Sequence, residues 1–244
     1  MSGVQRCVLS WTVLALLLSA GTSLGDVDVQ WLTKTVEIIR TRYTERGQFC
    51  AAVKIPEKLV NQQNPDLATL LSQDTDANMQ EYFNEPEKFY AGLSVVAAKP
   101  VEVPHQGTEH AEYRVLKHIE SKWMNDHTNN FLLVYTYLSP CVHKCANPSS
   151  SRTIVESIGV MASWKGYALV FQKPYSHPKD LAPVSEAELK TALSELAQTI
   201  GYTNILRCYK PAIGAFRCVT CFSGPQNTVV DECIDLQSGA SSSS

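Results

Sequence analysis

Residues 131–138 read Phe-Leu-Leu-Val-Tyr-Thr-Tyr-Leu, a nearly unbroken apolar run of strand length. No other segment constrains the fold as much. A strand with one wet face alternates apolar and polar residues, whereas a continuous run is buried on both sides. The chain must therefore build a sheet with cover on each face. Two segments offer it: residues 110–123 place Ala111, Val115, Ile119 and Trp123 four apart, and residues 185–200 repeat an apolar stripe that Gly201 ends.

The remaining pattern sets the order. Residues 29–42 read as an opening helix through Trp31, Leu32, Thr35, Val36 and Ile39. Strands are expected at 49–55, 90–99, 167–172 and 205–208, and further helices from Cys141 until Pro148 interrupts and over 154–164. Residues 58–89 form a polar connection with one helix near 67–71, and residues 100–107 a loop. The order α-β-β-α-β-α-β-α-β predicts an α/β fold with a mixed five-stranded sheet covered by helices on both faces. Its first two strands are antiparallel and its later ones parallel, because a helix crosses between them.

Residues 1–25 have the make-up of a cleaved signal peptide: Arg6, an apolar run over 8–18, then Ser23 and Gly25, with Gly21 as a second cleavage point. The run is about a dozen residues long, short of the ~20 that span a bilayer. The expectation is a secreted, extracellular protein with no membrane attachment once the leader is gone. Residues 26–210 then form the folded domain, 211–236 a cysteine-rich extension and 237–244 a disordered serine-rich tail. The sequence sets no oligomeric state.

Of eight cysteines, Cys7 leaves with the leader, and an odd set remains: Cys50, Cys141, Cys145, Cys208, Cys218, Cys221 and Cys233. Spacings of ten and twelve residues around Cys218-x-x-Cys221 fit a pair of zinc knuckles poorly. An oxidising compartment favours disulfides, two of them drawn from Cys50 and the four tail cysteines, with no connectivity implied. The formal charge of −3 argues against a strongly basic protein that coats nucleic acid, though a local basic groove is compatible with it.

Chemistry concentrates in two short motifs. His110-Ala111-Glu112 opens the helix after the second strand, and Pro140-Cys141-Val142-His143-Lys144-Cys145 follows the central strand. Cysteines four apart on one helix lie on one face, about 5–6 Å apart, within reach of one metal at about 2.3 Å each. A helix start also favours the thiolate that a metal needs. His110 would be the third ligand, leaving a fourth position for water, the mark of a catalytic zinc site. Glu112 would move that water's proton. His143 sits on another helix face, and no His-Glu-x-x-His zinc-protease motif occurs.

His-x-Glu followed by Pro-Cys-x(2–4)-Cys resembles the zinc cytidine deaminase superfamily. The helix expected between the fourth and fifth strands, together with Ser139-Pro140-Cys141, is similar to its AID/APOBEC branch. The leader and cysteine-rich tail resemble the secreted AID/APOBEC-like deaminases of vertebrates, the SNAD group. The resemblance implies zinc held by His110, Cys141 and Cys145, with Glu112 as proton shuttle. It further implies hydrolytic deamination of cytosine in single-stranded nucleic acid, with free nucleoside as the alternative substrate and a non-catalytic zinc-binding protein as the rival class. Ala111, Tyr175 and His177 are the candidate substrate contacts, with Arg46, Lys99, Lys173 and Lys179 as a basic rim. Leu138 stands where relatives carry Trp.

Overall fold

The computed structural model describes residues 27–43, 47–176 and 182–236. The expected leader and serine-rich tail fall outside these residues. The elements, in order, are α1 (Val29–Arg42), β1 (Cys50–Pro56), α2 (Leu67–Leu70), α3 (Asp76–Asn84), β2 (Phe89–Ala91), β3 (Val95–Ala98), β4 (Val101–Val103), β5 (Gly107–Glu109), α4 (Ala111–Lys122), β6 (Asn130–Leu138), β7 (Gly166–Lys173), α5 (Glu186–Ile200), β8 (Ile205–Tyr209), β9 (Arg217–Thr220), β10 (Phe222–Ser223) and β11 (Thr228–Val229).

The apolar run is the central strand. One sheet runs β2-β3-β1-β6-β7-β8-β9. β6, β7 and β8 are parallel, while β1 runs antiparallel to both β3 and β6. Alternate residues of β6 enter two separate cores. Leu132 and Val134 face α4, α5 and the tail residues Cys221, Phe222 and Cys233, whereas Phe131, Leu133 and Tyr135 face Trp31, Leu32 and Val36 of α1 and Met79 and Phe83 of α3. Cover on both faces is thus what the run requires.

The sheet has seven strands rather than five, for two reasons. Residues 90–99 are not one strand. They fold back as the β2–β3 hairpin around the buried carboxylate of Asp74, which accepts hydrogen bonds from Tyr90 Oη (2.7 Å), Leu93 N (2.9 Å) and Ser94 N (2.8 Å). Gly92 lets the chain pass, since a Cβ there would lie 1.7 Å from Asp74 Oδ1. The seventh strand, β9, comes from the cysteine-rich segment and pairs antiparallel with β8, Cys208 opposite Cys218. The disulfides are Cys208–Cys218 and Cys221–Cys233, and Cys50 is a buried thiol.

Two expected helices take other forms. After Cys141 the chain makes a turn in which Ala146 N donates to Cys141 O at 3.0 Å, and residues Ser157–Ser163 form a 3₁₀ helix. Pro148 has no N–H to give, and the side chains of Asn147 and Ser150 accept the N–H groups of Ser149 and Arg152, which takes them out of an α-helical ladder. The loop expected over 100–107 contains the β4–β5 hairpin. No described helix is long and apolar enough to cross a membrane.

Candidate metal centre and its cavity

The site forms where β3 and β6, running the same way on either side of β1, both end. β3 leads through the β4–β5 hairpin into α4, and β6 leads into Ser139-Pro140-Cys141. His110 is the N-cap of α4, with extended backbone angles (φ −78°, ψ 152°) and no capping hydrogen bond from its side chain. Freed from capping, the imidazole reaches the cysteines: its Nδ1 lies 3.2 Å from Cys145 Sγ and 3.4 Å from Cys141 Sγ. The three donor atoms lie within 4.8 Å of one another.

A turn, not a helix, brings the two cysteines together. Cys145 N donates to Cys141 Sγ at 3.3 Å, and Ile154 N donates to Cys145 O at 2.8 Å. The Cys141 thiol is accordingly held at about 4, first by hydrogen bonding from Cys145 and then, against burial, by the bond to and charge of His110. The thiolate is therefore favoured by local hydrogen bonds in place of the helix start expected from the spacing. Cys145 is pushed up by that same bond and by burial, as expected when two adjacent thiols share one charge. His110 titrates above its usual range: burial opposes its charged form, but the hydrogen bond to Cys141 and the charges of Cys141 and Glu112 outweigh it. His143 is exposed on the turn.

Glu112 sits in the first turn of α4, 2 % exposed. Burial raises its pKa, countered by hydrogen bonding and by the charge of His110. Its Oε1 accepts from Thr136 Oγ1 at 2.8 Å and from Gln48 Nε2 at 2.7 Å. Gln48 was not expected here; it arrives because Cys50, the first residue of β1, pairs with Thr136 near the end of β6.

A cavity of 210 Å³ is lined by Gln48, Pro100, Thr108, His110, Glu112, Leu138, Ser139, Cys141 and Tyr175. Larger clefts, of 450 Å³ by Tyr167 and Asn204 and 570 Å³ by Tyr209 and Arg217, carry no comparable set of convergent groups. Ser139 Oγ accepts the Tyr175 N–H at 2.9 Å, which holds the tyrosine at the cavity wall. Ala111 is fully buried in the core and is not a lining residue. His177, Arg46 and Lys179 lie outside the described residues. The Lys99 ammonium lies over Phe83, and that of Lys173 lies 5.4 Å from the ring centre of Tyr137. Lys144 also approaches the site: its Nζ would lie 3.9 Å from a Cβ placed on Gly107, in the loop before His110. The connection between β1 and β2 leaves from Pro56, opposite Asn130 at the other end of β6, far from the cavity.

A mixed sheet covered on both faces, with a His-Cys-Cys cluster and a buried glutamate at one edge, is the arrangement that the zinc deaminase signature implies. The family model described as Secreted Novel AID/APOBEC-like Deaminase 1 matches residues 29–237, and the chain belongs to that family. No curated protein and no solved structure matches it.

Proposed function

We propose that the chain is a secreted zinc-dependent hydrolytic deaminase acting on cytosine in single-stranded nucleic acid. The observation that carries this reading is one cavity lined by His110 and Cys141 on one side and the buried Glu112 on another. His110, Cys141 and Cys145 would hold the metal. One imidazole nitrogen and two thiolates suit zinc, and three protein donors leave a position open. Zinc held there supplies Lewis-acid activation of water near neutral pH.

The chain's own residues do the rest. Glu112, raised by burial and still ionisable, takes a proton from water and returns it to the ring nitrogen; a second proton follows to the amine, which leaves as ammonia. Leu138 and Tyr175 offer the apolar walls against which a base can rest. Lys144 and Lys173 near the rim suit the phosphates of a short single-stranded segment. The leader expected over residues 1–25 and the two disulfides favour an oxidising, extracellular setting.

Ammonia release from a panel of nucleosides and single-stranded oligonucleotides tests this. Cytosine-containing oligonucleotides should turn over at least about tenfold better than free cytidine. Their log affinity should fall against log salt with a slope between about −1 and −4, from about −0.7 per phosphate. Equal turnover of cytidine and oligonucleotide without salt dependence would assign a nucleoside substrate. No ammonia from any member, at one zinc per chain, would leave a non-catalytic zinc protein.

A further inference from the structure

Gln48 stands two residues before Cys50, on the strand face that Cys50 and Ala52 turn toward α4. β1 begins where β6 ends, with Tyr137 N donating to Phe49 O at 3.1 Å, so the Gln48 side chain enters between Leu138 and Glu112. Its amide can be oriented in only one way. Leu138 N, which can only donate, lies 2.8 Å from Gln48 Oε1, so the oxygen must face it and the NH₂ must face away. On that side Nε2 donates to Glu112 Oε1 at 2.7 Å and to Thr136 Oγ1 at 3.1 Å. The Thr136 hydroxyl lies 2.8 Å from the same carboxylate oxygen.

An amide NH₂ has no lone pair with which to accept. Nε2 therefore always donates to Glu112 Oε1, and the carboxylate is tied on that side to the start of β1. Glu112 lines the cavity beside His110 and Cys141. We propose that Gln48 is a positioning residue that, together with Thr136, anchors Glu112 Oε1 and so fixes the orientation of the carboxylate at the cavity where it meets water and substrate. Water's first proton passes through the Glu112 carboxylate to the ring nitrogen and its second through it to the amine; the carboxylate is regenerated in each cycle. This inference rests on the deaminase reading.

The test compares zinc-loaded wild type with Gln48→Met, which keeps the length of the side chain and removes the amide, and Thr136→Val, which removes the hydroxyl with its contacts to Glu112 Oε1 and Leu138 O and spares the Gln48–Leu138 N bond. Steady-state kinetics, zinc content and thermal midpoint are measured for each. Gln48→Met should keep one zinc and a KM within about twofold while kcat falls about 10–100-fold, the scale of a misplaced catalytic group; Thr136→Val should lose about 3–10-fold in kcat. A Gln48→Met kcat within threefold of wild type would overturn the proposal, as would a loss that merely tracks zinc content or folded fraction. If Gln48→Met does not fold, Thr136→Val decides by the same criteria, an unchanged kcat counting against the proposal. If wild type turns over no substrate, the deaminase reading has failed, and the clamp is judged without activity. The Gln48 side-chain NH₂ signals in a ¹⁵N–¹H spectrum should then move on Glu112→Ala, and signals that stay in place would refute it.

Discussion

His110 Nδ1 lies 3.2 Å from Cys145 Sγ although 35 residues separate them. The sheet makes this contact: the helix N-cap and the turn belong to chain segments leaving β3 and β6 at the same edge, with β1 between. An imidazole nitrogen and two sulfurs gathered so closely, with Cys141 held as a thiolate, form a donor set suited to zinc.

The purified protein should therefore carry one zinc per chain, and His110→Ala, Cys141→Ser and Cys145→Ser should each lose it. Elemental analysis of protein folded in the presence of zinc is the measurement; metal-free wild type would remove the ligand assignment.

Metal-free protein should show an acidic thiol at one position only. With its pKa lowered to about 4, Cys141 is ionised at pH 6, whereas Cys145 and Cys50, both raised chiefly by their buried surroundings and neighbours, stay protonated. Cys141 also lines the cavity, so a small reagent can reach it. Iodoacetamide at pH 6 should label Cys141 by peptide mapping, and zinc should protect it. Labelling that begins only above pH 8 would contradict the assignment.

Gly92→Ala should destabilise the fold by about 2–3 kcal/mol, because the added methyl collides with Asp74 and unpairs its buried hydrogen bonds. The hairpin lies at the end of β1 away from the site, where Val53 pairs with Val95, so zinc stoichiometry should stay at wild-type level. A thermal or denaturant midpoint equal to wild type would show that the turn relaxes freely.

The sequence carried much of this, for reasons that lie in particular residues. The run at 131–138 is continuous because β6 is buried on both faces, and that burial dictated a covered sheet before any strand was paired. His110, Glu112, Cys141 and Cys145 stood out because their chemistry depends on residue type and short spacing. What escaped depended on contacts distant in sequence. The hairpin at Gly92 is set by Asp74, and the one local sign of it, a glycine inside the apolar run, does not separate a bulge from a reversal. Arg217–Thr220 looked like disulfide framework, yet the cysteine that bonds Cys208 also places a strand beside β8. Gln48 had one usable signal. Once β1 is paired antiparallel to the strand ending in Ser-Pro-Cys, the residue two before its start must lie at the site's edge, on the face toward α4.

The central claim is that Glu112 moves the protons of a hydrolytic deamination. Ammonia release by Glu112→Gln and wild type, each verified to hold one zinc per chain, addresses it most directly. The glutamine preserves shape and metal but cannot carry the proton. Turnover should fall at least about 10²–10⁴-fold, the usual contribution of a placed acid–base group. A Glu112→Gln protein that releases ammonia within threefold of the wild-type rate would contradict the account.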